Sequence, residues 1–116
     1  NRKVVEACIA EGLPVTPGVA TPSDVEAALD LGLDVVKFFP AEASGGAAAL
    51  RAIGQPIPQV KFCPTGGISL RNAPDYLALP NTLCVGGSWV APKDRLAAGD
   101  WAAVETLARE AAALPR

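Results

Sequence analysis

The sequence predicts an α/β fold in which short parallel strands alternate with helices. Three observations carry this reading. Apolar runs of strand length recur around Val15, Lys37, Phe62 and Val85, at spacings of 22, 25 and 23 residues. Between each pair lies a segment long enough for a helix of about ten residues. The strand candidates are apolar on both faces, the pattern of a sheet covered by helices. Regular β-α alternation implies parallel strands joined by right-handed helical crossovers.

Each element has its own signals. Residues 2–11 carry Val4, Val5, Cys8 and Ile9 at helical spacing, and Gly12 ends the run. LPVTP (13–17) is a short strand candidate. Thr21 reads as an N-cap with Pro22 at the first helical position, and Val25, Ala28 and Leu29 mark a buried stripe up to Gly32. Residues 34–39 read as a strand and the alanine-rich 45–53 as a helix. VKFCP (60–64) is a strand ending in Thr-Gly-Gly, and residues 70–79 give a helix. LCVGG (83–87) is a fourth strand, again ending in glycines. Residues 92–98 form a short helical turn. The last helix starts near Asp100, with Trp101, Val104, Leu107, Ala108 and Ala111 on one face.

Composition narrows the chemistry. The chain has 116 residues, half of them hydrophobic, enough for one modest core. Ten basic and 12 acidic residues are interspersed, for a net charge of −2. No basic stripe appears, which argues against nucleic acid as a partner. No apolar run is long enough to span a bilayer, and no signal-peptide pattern is present. Cys8, Cys63 and Cys84 are widely separated in apolar surroundings, as expected of reduced thiols packed as small hydrophobes in a cytoplasmic protein. Histidine is absent, so a zinc hydrolase or a Ser-His-Asp enzyme is not expected from this chain. The chain begins with Asn1 and contains no methionine, which suggests a processed or truncated piece.

The strand ends choose between two architectures. A small doubly wound sheet and part of a (β/α)8 barrel both satisfy the alternation. Lys37, Thr65-Gly66-Gly67 and Gly86-Gly87-Ser88 all sit at or just beyond C-terminal strand ends, where such barrels place their sites. A full barrel takes roughly 250 residues, so this chain reads as about half of one.

Within residues 34–39, Val35, Lys37 and Phe39 point to one side and Val36 and Phe38 to the other. If the odd-numbered side faces the barrel interior, desolvation there disfavours the ammonium and leaves an amine able to attack a carbonyl. The iminium formed is an electron sink suited to aldol cleavage. Position alone is equally compatible with a lysine that snorkels from a strand edge to solvent. The two glycine pairs let backbone N–H groups approach an anion, and Thr65 and Ser88 add hydroxyl donors. A lone glycine pair also marks any strand-to-helix turn; two at successive strand ends favour phosphate. Glu42 lies just past the lysine strand, where it caps the next helix or faces solvent rather than acting as a base. Trp89 and Trp101 read as packing residues, and Lys93, Asp94 and Arg95 as a solvated turn.

VVKFFPAE, FCPTGGIS and CVGGSWV, in this order and spacing, together with LPVTPGVATPSDVEAALDLGLD, resemble the 2-keto-3-deoxy-6-phosphogluconate (KDPG) and 4-hydroxy-2-oxoglutarate aldolase family. The resemblance covers essentially the whole chain but only the C-terminal half of a family member. It implies a (β/α)8 class I aldolase of the Entner–Doudoroff pathway, with this chain a single partial domain (1–116) running from helix 4 to helix 8. Such enzymes cleave KDPG to pyruvate and glyceraldehyde 3-phosphate, act on a phosphorylated keto acid, need no metal or other cofactor, and form homotrimers. By position Lys37 matches the Schiff-base lysine. Thr65, Gly66, Gly67, Gly86, Gly87 and Ser88 match the substrate and phosphate loops, and Phe39 a pocket wall. The family's general-base glutamate, and the arginine and threonine that hold the pyruvate carboxylate, lie on earlier strands outside this chain. The chain alone is therefore expected to be inactive and prone to self-association. Two other readings stay open: a sugar-phosphate isomerase or epimerase, which would not need an inward lysine, and a phosphate-binding half-barrel without turnover.

Overall fold

The structure is a computed structural model that describes residues 1–115. Its elements follow the order α1 (Arg2–Ala10), β1 (Gly18–Val19), α2 (Pro22–Leu29), β2 (Val35–Phe38), α3 (Gly46–Gly54), β3 (Lys61–Phe62), α4 (Ala73–Leu77), a 3-10 turn (Ser88–Val90), α5 (Lys93–Ala97) and α6 (Trp101–Ala112). The three strands form a parallel sheet in the order β1-β2-β3. Gly18 pairs with Lys37, and Val35 with Lys61, so the middle strand carries the lysine. The chain has an α/β fold of parallel strands and helices.

Local chemistry explains the best-defined helix start. The Thr21 hydroxyl accepts from the Asp24 N–H at 3.3 Å while Asp24 Oδ2 accepts from the Thr21 N–H at 2.9 Å, a reciprocal capping box with Pro22 at the first position. The Ala20 N–H also donates to Asp24 Oδ2, at 3.0 Å. These bonds, the one from Ala20 foremost, hold the Asp24 carboxyl below its ordinary value. Val25 and Ala28 then turn inward as expected.

The core lies on one side of the sheet. Val36, Phe38, Phe62, Leu50, Val60 and Tyr76 are fully or almost fully buried there. The other side is open: Val35, Phe39 and Leu83 remain 37–49 % exposed. The expectation of a sheet covered on both faces is therefore corrected, because the helices pack against one face only. The radius of gyration, 15.5 Å, accordingly exceeds the roughly 13 Å of a compact domain of about this size.

Several element boundaries also move. The first strand is Gly18–Val19, not 13–17; Pro14 and Pro17 lack the N–H that a ladder needs. The helix at 70–79 contracts to Ala73–Leu77, with Pro74 in its first turn. The fourth strand at 83–87 is not continuous; among the described residues two isolated parallel bridges, Phe62 with Thr82 and Thr65 with Gly86, tie this segment to β3 and the loop after it. Two residues (63 and 64) lie between these pairings on one side and three (83 to 85) on the other, so an extra residue bulges out and breaks the ladder. Trp89 packs partly against the core, but Trp101 is 66 % exposed and α6 buries none of its residues fully. On α1 only Val5 is buried; Val4 and Ile9 are exposed. Cys84 is exposed rather than packed inside. Among the described residues no helix is long and apolar enough to cross a membrane.

Candidate active site

The β2 strand positions the lysine by alternation. Val36 and Phe38 point into the core at 0 % exposure, which forces Val35, Lys37 and Phe39 onto the open face. Lys37 is half-buried, and its Nζ lies 4.9 Å from the centroid of the Phe39 ring, a cation–π contact. Among the described residues no carboxylate reaches ion-pair distance of Lys37. The ammonium thus rests on an aromatic face instead of a counter-ion.

Backbone bonds bind the β2 end to the next loop. The Thr65 N–H donates to the Phe38 carbonyl at 2.9 Å, Ala41 N–H to Thr65 carbonyl at 2.8 Å and Glu42 N–H to Gly66 carbonyl at 3.1 Å. Gly66 and Gly67 have φ of 102° and 79°, in the region that favours glycine. A Cβ on Gly66 would meet the Phe39 ring and Pro40 at 3.2 Å, and one on Gly67 would meet Glu42 Cγ at 2.6 Å. Gly86 packs as closely against Thr65, where a Cβ would lie 2.7 Å from Oγ1. These contacts make the glycines necessary for packing as well as for backbone freedom.

The result is an open cavity of about 420 Å³ lined by Thr65, Gly66, Gly67, Ile68, Gly87 and Ser88. Five of the eight expected site residues line it. Gly86 stands behind Thr65, and Phe39 touches the loop at Gly66, while Lys37 reaches the group through Phe39. Chemically the cavity offers two hydroxyls and a glycine-rich backbone, a set suited to an anion with several oxygens. Among the described residues no cluster of acidic, cysteine or histidine side chains could hold a metal ion.

Two residues that sequence reasoning passed over, Asn72 and Tyr76, brace this loop. Asn72 accepts from the Ser69 N–H at 2.7 Å and donates from Nδ2 to the Gly67 carbonyl at 3.0 Å. Tyr76, 1 % exposed, donates its hydroxyl to Glu42 Oε1. Glu42 is exposed, as expected, but it does not cap the next helix: its carboxylate accepts from Tyr76 and its side chain packs on Gly67. Burial first, and the Glu42 carboxylate second, push the Tyr76 hydroxyl above its ordinary value. The only sequence signal for this pair was an aromatic residue with a polar handle on a helix.

Comparisons with known proteins follow the same lines. A family profile described as KDPG and KHG aldolase matches residues 1–107. A KHG/KDPG aldolase from Escherichia coli (strain K12) is 56 % identical over 99 residues, 85 % of this chain and 46 % of that protein. The 2-keto-3-deoxy-6-phosphogluconate aldolase of Zymomonas mobilis ZM4, solved with 3-phosphoglycerate, superposes with a TM-score of 0.92 at 47 % identity. That match covers all of this chain and 54 % of the other. A KDPG aldolase from Legionella pneumophila, solved with pyruvate captured at low pH as a covalent carbinolamine, gives a TM-score of 0.80 at 47 % identity, over 82 % of this chain and 46 % of that one. The chain spans about half the length of the curated relatives it matches.

Proposed function

Because the chain belongs to the KDPG and KHG aldolase family, we propose that it supplies the nucleophile and the phosphate side of a class I aldolase. The observation that carries this reading is one of placement. Lys37, Thr65–Gly67 and Gly86–Ser88 share one end of a parallel sheet, on or beside its open face, with Phe39 touching both the ammonium and the first loop.

In the proposed reaction the Lys37 amine attacks the C2 carbonyl of KDPG and forms a carbinolamine, which loses water to give an iminium. Cleavage of the C3–C4 bond sends its electron pair into that iminium, leaving an enamine of pyruvate on Lys37. Glyceraldehyde 3-phosphate departs as the C4 hydroxyl loses its proton. Protonation of the enamine and hydrolysis release pyruvate and return the free amine. The Thr65 and Ser88 hydroxyls and the N–H groups of the two glycine loops would hold the substrate phosphate. Glu42 is engaged by Tyr76, so the base for the C4 hydroxyl is assigned to a residue outside this chain.

The same proposal covers architecture and setting. The β/α units read as one partial domain, half of a (β/α)8 barrel whose interior is the face carrying Val35, Lys37 and Phe39. A cytoplasmic homotrimer in the Entner–Doudoroff pathway, acting on KDPG and also on 4-hydroxy-2-oxoglutarate, completes the reading. Incubation with pyruvate and borohydride tests its centre: a reduced pyruvate adduct should appear on Lys37 by peptide mass mapping. An adduct on another lysine, or none, would refute the role.

A further inference from the structure

Cys63 and Cys84 stand 21 positions apart in sequence, yet their sulfur atoms lie 3.4 Å from each other. The bulge in the segment facing β3 accounts for this. Between the Phe62–Thr82 and Thr65–Gly86 bridges, three residues (83 to 85) face two (63 and 64), and Cys84 comes to lie alongside Cys63. Hydrogen-bonded strands run about 4.8 Å apart, within the roughly 4.4–6.8 Å between Cα atoms that a disulfide spans. The sulfurs need to approach by about 1.4 Å to reach bonding distance. Cys84 is exposed and Cys63 half-buried, so a soluble oxidant meets Cys84 first.

We propose that Cys63 and Cys84 are a modification site, closed into a disulfide by a hydroperoxide. The Cys84 sulfur attacks one peroxide oxygen; the O–O bond breaks, giving a sulfenic acid on Cys84 and one water. The Cys63 sulfur then attacks the Cys84 sulfur, the S–O bond breaks, and the departing hydroxide leaves with the Cys63 proton as a second water. Two thiols and one hydrogen peroxide thus become one disulfide and two waters. The bridge has a structural consequence, because Cys63 lies two residues before Thr65 and Cys84 two before Gly86, and Thr65 pairs with Gly86. Closing it clamps together the two loops that line the cavity. This inference is independent of the aldolase reading, since it requires neither substrate nor turnover.

The test uses the 116-residue chain and hydrogen peroxide. Trypsin, which cuts after Lys61, Arg71 and Lys93, separates Cys63 (peptide 62–71) from Cys84 (peptide 72–93). After treatment and digestion without reductant, the two peptides should run as one species, lighter by two hydrogen atoms than their sum. Dithiothreitol should restore them, and iodoacetamide before reduction should label Cys8 alone. Cys8→Ser should keep the cross-link. Cys63→Ser should instead carry Cys84 on to the sulfinic acid. The idea fails if Cys63 and Cys84 both remain open to alkylation after peroxide. It fails equally if Cys84 in the wild-type chain gains oxygen without linking to Cys63, or if Cys8 becomes the partner. The wild-type map decides the matter even if a variant misfolds.

Discussion

The hydroxyl of Tyr76 donates to Glu42 Oε1 across 34 positions of sequence. One partner stands on α4 and the other on the loop after β2, and between them Gly67 lies under the Glu42 side chain. A single contact thus braces the loop that follows β3 from both neighbouring units. Tyr76 is the only tyrosine in the chain, which makes the contact measurable.

That tyrosine should ionise late. Its hydroxyl is raised above its ordinary value by burial and by Glu42, so the folded state favours the neutral form. The stabilisation is complete below the unfolded-state value of about 10 and is lost as pH rises from there toward the folded-state value. In an alkaline titration followed by tyrosinate absorbance, the signal should appear above pH ~10 and coincide with loss of secondary structure. Ionisation at the ordinary value in a still-folded chain would contradict the geometry. Tyr76→Phe should lower stability by about 1.5–3 kcal/mol in urea unfolding, the range for a hydrogen bond to a charged group.

Gly67→Ala should harm the loop more than the fold. Its φ of 79° is unfavourable for alanine, and the new methyl would press on Glu42 Cγ. A cost of about 1–3 kcal/mol is expected from urea unfolding. Binding of 3-phosphoglycerate, followed by calorimetry, should weaken at least several-fold. Unchanged binding would show that the loop backbone does not hold the phosphate.

The capping box of α2 makes a prediction with a definite pH sign. Thr21→Ala should cost about 1 kcal/mol. Asp24 has a depressed folded-state value, so its contribution is present above the ordinary carboxylate value and is lost as pH falls through and below it. The stability difference between wild type and Asp24→Asn, measured by thermal melts, should therefore shrink steadily on acidification below about pH 4. A difference that grows in acid would reverse the assignment.

Catalysis by the isolated chain should be far below that of a complete relative. Mixing it with a polypeptide carrying the earlier β/α units should raise turnover, provided that piece brings a base and covers the open face. Coupled assays of pyruvate release test this directly. Full-rate turnover by the 116 residues alone would sink the half-barrel proposal.

Local chemistry was the part legible in the sequence. Thr21 and Pro22 mark a helix start, and the alternation around Lys37 placed it on the face opposite Val36 and Phe38. The β-α-β order and the glycine loops at strand ends followed from spacing in the same way. What stayed hidden depends on distant partners. The fourth strand breaks because its register against β3 slips by one residue, a property of the pair and of neither segment alone. The bond that the exposed Glu42 accepts from Tyr76 stayed hidden because the two are 34 positions apart. Trp101 looked buried because apolar periodicity marks a face without saying whether anything covers it.

The alternation along β2 also divides labour for an experimenter or for evolution. Substitutions at Val36 and Phe38 should register in abundance and melting temperature, since both are wholly enclosed. On the proposed aldolase reading, changes at Val35, Lys37 and Phe39 should register more in ligand choice and chemistry than in melting temperature. Within one four-residue strand and its next neighbour, heritability of the shape and novelty of the proposed reaction would then occupy alternate positions. A deep mutational scan of residues 35–39 should accordingly split into two interleaved profiles, one sensitive to temperature and the other to substrate.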